Sequence, residues 1–147
     1  MSTETIELWH KRARPKPTDA DLDVQFGCHI EEFVEGLDAV SFEIPENSNV
    51  DFGQMMEALD ALSNGLKNGT IRMNIDDRKE FLDSLADQVV TGIGTGYCAN
   101  MKTAAAIAAV NRSNYSKFDE NGAPIFNEHG KVAKGPRYAP PDLEGMY

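Results

Sequence analysis

The chain has 147 residues, a formal net charge of −10, and a composition that is 41% hydrophobic and 26% charged. This length and composition are typical of one globular domain with a modest core. The acidic balance argues against a broad surface for nucleic-acid polymers, which requires basic patches, but it leaves room for a small phosphorylated ligand.

Hydropathy and cysteine usage narrow the class of protein further. No apolar run approaches ~18 residues, so we expect no transmembrane or targeting segment and no membrane partner. The two cysteines, Cys28 and Cys98, have no metal-ligand spacing. Such thiols are typical of a reducing compartment, and we therefore expect a cytoplasmic protein.

The first part of the chain predicts two helices. A short helix over residues 5–13 ends before Pro15, because proline cannot continue a helix. Thr18 then caps a long second helix, which we expect to reach about residue 42. Its apolar residues recur every three or four positions, as on one helical face: Leu22, Phe26, Ile30, Phe33, Leu37 and Val40.

Three more helices follow, and then the composition changes. A third helix opens at Asp51 and stops at Asn68-Gly69. A fourth begins at Asp76 or Asp77, and its glycines are expected to let two helices approach closely. An alanine-rich fifth runs from about Lys102 to Lys117. Beyond it, turn signals predict a short C-terminal β-hairpin and an extended tail.

The predicted fold is therefore all-α. We expect a four-to-five-helix bundle in a single domain over residues 1–147, with a helical core over about 5–117 and the hairpin and tail over 118–147.

Three glutamates of the second helix, Glu31, Glu32 and Glu35, share an arc of ~100°. Like charges at this spacing destabilise a helix, and a divalent cation is the simplest compensation. On this stretch alone a solvated acidic face is the favoured interpretation. The fourth helix carries a second acidic cluster at Asp83 and Asp87.

The two acidic clusters can converge if their helices pack antiparallel, and several carboxylates around one point suit Mg²⁺, for which Mn²⁺ can substitute. The last third of the chain is rich in basic and amide side chains, which suit phosphate: Arg112, Asn114, Lys117, Lys131, Lys134 and Arg137. The divided charge pattern predicts a metal–polyphosphate site. Gln25 and His29 precede Glu32 on the same helix; Gln25 can contact a base, and His29 is expected at the wall of the cleft.

Several segments resemble the MazG-like group of all-α nucleoside triphosphate pyrophosphohydrolases, whose superfamily includes the dimeric dUTPases. Glu31-Glu32-Phe-Val-Glu35 is similar to the Glu-Glu-x-x-Glu motif of this group. Asp83-Ser-Leu-Ala-Asp87 looks like its second acidic motif. The segments over 111–119, 121–125, 129–132 and 134–142 resemble the C-terminal signature of phage-type and cassette-type members. The resemblance covers most of the chain.

The resemblance implies an Mg²⁺-dependent enzyme that hydrolyses a (deoxy)nucleoside triphosphate to a monophosphate and pyrophosphate, and that works as a homodimer or homotetramer. Resemblance to phage-type members favours purine deoxynucleotides. The implied catalytic residues are Glu31, Glu32 and Glu35; the implied metal ligands are Glu32, Glu35, Asp83 and Asp87. The substrate-binding residues that we expect are Gln25, Asn114, Lys117, Lys134 and Arg137.

The second motif departs from the family pattern, which usually reads Glu-x-x-Asp. Counting back from Asp87, the Glu position is Ser84. Either Asp83 substitutes for the missing glutamate, or Glu80 and Asp83 form the pair, and the sequence leaves both open.

Two other classes of protein compete with this interpretation. The net charge of −10 also suits a non-catalytic acidic helical protein that binds a basic partner. A di-iron carboxylate bundle needs Glu-x-x-His pairs on facing helices, and this chain has only the reversed order, His29-x-x-Glu32, which disfavours it.

Overall fold

The computed structural model describes residues 3–147. Its five helices are α1 (Thr3–Ala13), α2 (Asp19–Asp38), α3 (Phe52–Asn68), α4 (Arg78–Cys98) and α5 (Thr103–Tyr115). Over residues 3–147 there is no strand, so the prediction of an all-α fold is confirmed.

The chain divides into two compact units. The paired-helix unit comprises residues 17–73, which include α2 and α3, together with residues 128–131. The aromatic unit comprises the N-terminal segment through Lys16, residues 74–127 and residues 132–147. The single domain over 1–147 stays a prediction.

Helix α2 begins where its sequence predicts but ends earlier. Thr18 and Asp21 form a capping box: Asp21 N donates to Thr18 Oγ1 at 3.2 Å, and Thr18 N donates to the Asp21 carboxylate at 2.9 Å. The predicted end near residue 42 is wrong, since α2 ends at Asp38. The N–H of Val40 closes the last turn on Leu37 O at 3.3 Å, and the chain then runs on towards Pro45, which disfavours helical backbone before it.

Polar caps and a glycine also define α3 and α4. The Asp51 carboxylate accepts from Gln54 N at 2.9 Å at the start of α3, and Gly69 ends that helix in the left-handed region with φ +79°. Asp77 caps α4 by accepting from Lys79 N and Glu80 N, both at 3.0 Å. Of the two aspartates proposed for this start, the structure therefore uses Asp77.

The paired-helix unit is built around a close approach of α2 and α3. At Gly27 a Cβ atom would lie only 2.9 Å from Ser63 O and 2.8 Å from Lys67 Cγ, so the crossing requires glycine. Ser63 Oγ donates to Gly27 O at 2.9 Å, and Leu66 beside it is almost fully buried. A small residue and one buried hydrogen bond therefore fix the position of the two helices.

A buried carboxylate on α2 holds the connector that follows α3. Asp23 is 2% exposed, and its Oδ1 accepts from Met73 N at 3.0 Å. Its Oδ2 lies 2.6 Å from Arg72 Nε. A buried carboxylate needs such partners, because an unpaired charge away from water is strongly unfavourable.

The aromatic unit is organised by Trp9 of α1 and Phe118, whose rings stack with centroids 5.6 Å apart and an interplanar angle of 4°. Ala13 and Val132 complete this core. Helix α5 joins it through Tyr115, whose hydroxyl donates to Thr5 O at 3.1 Å. Aromatic burial of this kind supplies a large share of the apolar area in a small core.

The predicted C-terminal hairpin is reduced to one antiparallel bridge, between Phe126 and Val132. A neighbouring hydrogen bond runs from Ala133 N to Ile125 O at 2.7 Å. Pro124 has no N–H, so the ladder cannot extend past it. The segment therefore stays extended without becoming a strand.

Helix α4 has no buried residue along its whole length, whereas α2, α3 and α5 each have at least three. Gly96 permits the close approach to α5 that its sequence predicts, because a Cβ there would overlap the Thr103 side chain. At Gly92 and Gly94 a Cβ would meet nothing within 4 Å. No helix within residues 3–147 combines the length and apolarity that crossing a bilayer requires.

Candidate functional site

Glu31 on α2 is the most heavily paired of the predicted site residues. Lys67 Nζ lies 2.7 Å from its Oε1, and Lys131 Nζ lies 2.7 Å from its Oε2. Each carboxylate oxygen thus has its own ammonium group. The Glu31 side chain is only 27% exposed, and that of Lys67 only 19%, so this cluster is partly shielded from water.

The cluster shifts the titration of its members. Burial raises the pKa of Glu31, but the hydrogen bonds from Lys131 and Lys67 outweigh burial and hold that pKa below its usual value. The hydrogen bond to Glu31 raises the pKa of Lys131 against the effect of burial, with further contributions from Cys28 and Glu32. Glu31 and Lys131 are therefore charged at neutral pH.

Local structure explains how the two lysines reach one carboxylate. Lys67 lies in the last turn of α3, just after the crossing of α2 and α3 at Gly27. Lys131 directly follows a turn in which Gly130 adopts φ +74°, a conformation that favours glycine. A helix end and a tight turn therefore present the two ammonium groups to α2.

Glu32 and Glu35 lie on the exposed side of the same helix. Within residues 3–147, no three His, Cys, Asp or Glu side chains are placed to hold a metal ion by themselves. Mg²⁺ at phosphate sites needs fewer protein ligands, because one or two carboxylates bind it together with water and the phosphates. Glu32 and Glu35, about one turn apart, provide such a pair.

The predicted second acidic motif lies in the aromatic unit, whereas Glu31, Glu32 and Glu35 lie in the paired-helix unit. Asp83 and Asp87 are exposed on α4, one turn apart. Their assignment as metal ligands stays a prediction.

The predicted basic segments come together within the aromatic unit. Gly135 N, next to Lys134, donates to Lys117 O at 3.0 Å. The Arg137 guanidinium donates to Asp119 O, and Lys134 Nζ lies 4.7 Å from the centre of the Tyr138 ring. Thus the stretches over 114–117 and 134–137, which are far apart in sequence, form one basic corner, with Asn114 at the end of α5.

The remaining predicted residues lie on α2. Gln25 is exposed. His29 is also exposed, and its ring stacks against Phe26 with centroids 6.3 Å apart. A base-contacting role for Gln25 stays a prediction.

Sequence reasoning missed Lys67 and Asp23. Lys67 reads as an ordinary basic residue in the last turn of a helix, where the helix dipole favours it. Its pairing with Glu31 depends on how α2 and α3 cross, and this crossing had one sequence signal, the glycine at position 27 within an otherwise regular helix. Asp23 follows Asp19 and Asp21, and its position in the sequence carries no signal that separates a buried carboxylate from the acidic first turn before it.

The described chain is thus an all-α protein with a carboxylate–lysine cluster on α2. Comparisons with protein-family models, with curated proteins and with solved structures found no match to this chain.

Proposed function

We propose that the protein is an Mg²⁺-dependent nucleoside triphosphate pyrophosphohydrolase, which converts a (deoxy)nucleoside triphosphate to a monophosphate and pyrophosphate. One observation carries this proposal: exposed carboxylates and a carboxylate held by two lysines occupy neighbouring positions on α2. Glu32 is close enough to Lys131 to contribute to its raised pKa. Cation-binding and anion-binding groups are therefore adjacent, as a metal–polyphosphate substrate requires.

Glu32 and Glu35 would hold the metal, which when bound supplies Lewis acidity and charge neutralisation at the phosphates. A carboxylate on α2 accepts the proton of the attacking water. Glu31 suits this role least, because two ammonium groups lower its pKa and make it a weaker base. The proton acceptor is therefore a carboxylate oxygen of Glu32 or Glu35 that does not bind the metal.

The bond changes follow from the products. The water oxygen bonds to the α-phosphorus, and the bond from that phosphorus to the α–β bridging oxygen breaks. The electron pair leaves with pyrophosphate, whose charge nearby ammonium groups stabilise. The assignments of Asp83 and Asp87 as metal ligands, and of Gln25, Asn114, Lys117, Lys134 and Arg137 as substrate-binding residues, stay predictions from the sequence.

A homo-oligomer is part of this proposal. The exposed α4 carries large apolar side chains that are mostly uncovered: Leu82, Val90 and Tyr97 are 69%, 66% and 81% exposed. Exposed apolar side chains concentrated on one helix are typical of protein–protein interfaces. We assign it to a second copy of the chain.

The same exposed helix and the net charge of −10 support a second candidate, an acidic helical protein that binds a basic partner without catalysis. A thermal-shift experiment with Mg²⁺ and a non-hydrolysable dNTP separates the two. A rise in melting temperature with the dNTP that Mg²⁺ makes larger supports the hydrolase, and no rise with or without Mg²⁺ supports the binding protein.

Substitution of the two exposed carboxylates tests the proposed site. We expect Glu32→Gln combined with Glu35→Gln to lower Mg²⁺-dependent pyrophosphate release at least ~100-fold, because metal-assisted charge stabilisation contributes several kcal/mol. The assay should include each of the eight common (d)NTPs, with purine deoxynucleotides expected to be the best substrates. Glu57→Gln, an exposed glutamate of α3, is the matched control and should retain wild-type turnover. Wild-type turnover in the double variant would contradict the assignment.

A further inference from the structure

We propose that Lys67 and Lys131, held in place by Glu31, form a binding site for the phosphate oxygens of a di- or triphosphate. Glu31 would then be a positioning residue rather than a catalytic residue. This inference rests on the same region as the proposed hydrolysis and assigns its anion-binding part to Lys67 and Lys131, which are not among the substrate-binding residues expected from the sequence.

The geometry of the cluster supports anion binding. The two ammonium groups contact different oxygens of one carboxylate, each at 2.7 Å, so Glu31 holds both Nζ atoms beside a single carboxyl group. Hydrogen bonds between an ammonium group and a phosphate oxygen are charge-assisted and strong. A lysine whose position is already fixed also loses less side-chain entropy when a ligand binds.

Two ammonium groups share the Glu31 carboxylate, and Glu32 adds a second negative charge near Lys131. The cluster therefore brings two cationic groups together within a chain of net charge −10. Lys67 is largely covered, with 19% of its side chain exposed, whereas Lys131 is 46% exposed and accessible to a ligand. Partial shielding from water and salt strengthens the attraction between such a group and an anion.

This arrangement differs from an ordinary surface ion pair. Glu7 and Lys11 on α1 form one at 2.6 Å, with both side chains more than 60% exposed and four residues apart in sequence. In the cluster, Glu31 instead pairs with Lys67, which lies 36 positions away in the sequence, and with Lys131, which lies 100 positions away. Pairs of the first kind contribute little to stability or binding, whereas convergence from three segments produces a defined site.

Pyrophosphate binding without divalent metal tests the inference. The protein is titrated with sodium pyrophosphate by isothermal calorimetry in EDTA at low ionic strength. We expect Lys67→Met and Lys131→Met each to weaken binding at least ~10-fold, since each removes one charge-assisted contact to the phosphate oxygens. Lys11→Met is the matched control and should bind as the wild type does. Lys131→Arg retains the charge at a side chain that is 46% exposed and should bind within about threefold of the wild type.

Glu31→Gln distinguishes positioning from simple charge repulsion. The substitution removes a negative charge, so a glutamate that only repels anions would give tighter pyrophosphate binding when replaced. A glutamate that holds the two lysines together gives weaker binding, and we expect a loss of at least ~3-fold, in line with the modest strength of a partly exposed ion pair. Circular dichroism should show unchanged helix content in this variant.

Three results would overturn the inference: no pyrophosphate binding by the wild-type chain, equal binding by Lys131→Met and Lys11→Met, or tighter binding by Glu31→Gln. Because the titration needs neither metal nor turnover, its outcome is separate from that of the hydrolysis assay. A chain that binds pyrophosphate through these lysines but lacks hydrolase activity would contradict only the proposed function.

Discussion

Different interactions stabilise the interior of each of the two units. In the aromatic unit, Trp9 and Phe118 stack in a small apolar core. In the paired-helix unit, contact depends on a glycine at the helix crossing and on partly buried ion pairs around Asp23 and Glu31. The proposed chemistry takes place in the paired-helix unit, where ion pairs contribute to the packing. Charged groups that hold helices together are already placed and partly shielded from water, so they are available to bind a charged ligand.

Removing an aromatic ring should have the largest effect and should be confined to one unit. Phe118 is 2% exposed, so Phe118→Ala is expected to destabilise the aromatic unit by roughly 3–5 kcal/mol, through lost burial and the cavity left behind. Urea unfolding followed by Trp9 fluorescence measures this effect directly, since Trp9 is the single tryptophan of the chain. Phe33→Ala, at a ring that is 61% exposed on α2, should change stability by less than about 1 kcal/mol. Similar losses of stability in Phe118→Ala and Phe33→Ala would contradict an aromatic core that depends on Phe118.

A methyl group at the helix crossing should have the next largest effect. Gly27→Ala places a Cβ 2.9 Å from Ser63 O, a backbone atom that cannot move without shifting α3, so we expect a loss of about 1–3 kcal/mol. Gly36→Ala on the same helix meets nothing within 4 Å and should stabilise the helix by about 0.5–1 kcal/mol. Thermal unfolding by circular dichroism measures both variants. The account requires opposite signs, and equal effects would contradict the close crossing.

Acid should act on the two units in different pH ranges. Burial among its neighbours, with a contribution from Arg14, lowers the pKa of His10 in the aromatic unit from 6.5. The unfolded chain therefore binds that proton more readily, and this contribution to stability is complete above pH 6.5 and declines as the pH falls below it. The pKa of Glu31 is lowered from 4.5, so the contribution of its ion pairs is complete above pH 4.5 and is lost only below it.

Stability of the aromatic unit should thus begin to fall first as a solution is acidified. Urea unfolding at a series of pH values, followed by Trp9 fluorescence and by circular dichroism, tests this order. His10→Gln should remove the decline that begins near pH 6.5, and Glu31→Gln should affect only the decline below pH 4.5. A decline near pH 6.5 that persists in His10→Gln would assign it to another group.

Much of the fold follows from the sequence because helix ends have local causes. Four helix ends are each determined by a cap that involves residues only a few positions away. The capping residues are Thr18, Asp51, Asp77 and Gly69. The predicted end of α2 near residue 42 is too far along the chain, because the apolar periodicity continues to Val40 although the helix ends at Asp38.

The candidate site was less predictable, because its contacts are not local. The carboxylates of α2 can be read from their spacing, but their partners depend on the crossing at Gly27 and on the turn before Lys131. A lysine at a helix end looks the same in sequence whether it faces solvent or a glutamate 36 residues away.

The most direct test of the proposed hydrolysis is to follow the oxygen that water contributes. The protein is incubated with Mg²⁺ and a purine dNTP in ¹⁸O-labelled water, and the products are analysed by mass spectrometry. Attack at the α-phosphorus predicts one labelled oxygen in the nucleoside monophosphate and none in the pyrophosphate. Label in pyrophosphate, formation of a nucleoside diphosphate with inorganic phosphate, or no product at all would contradict the account.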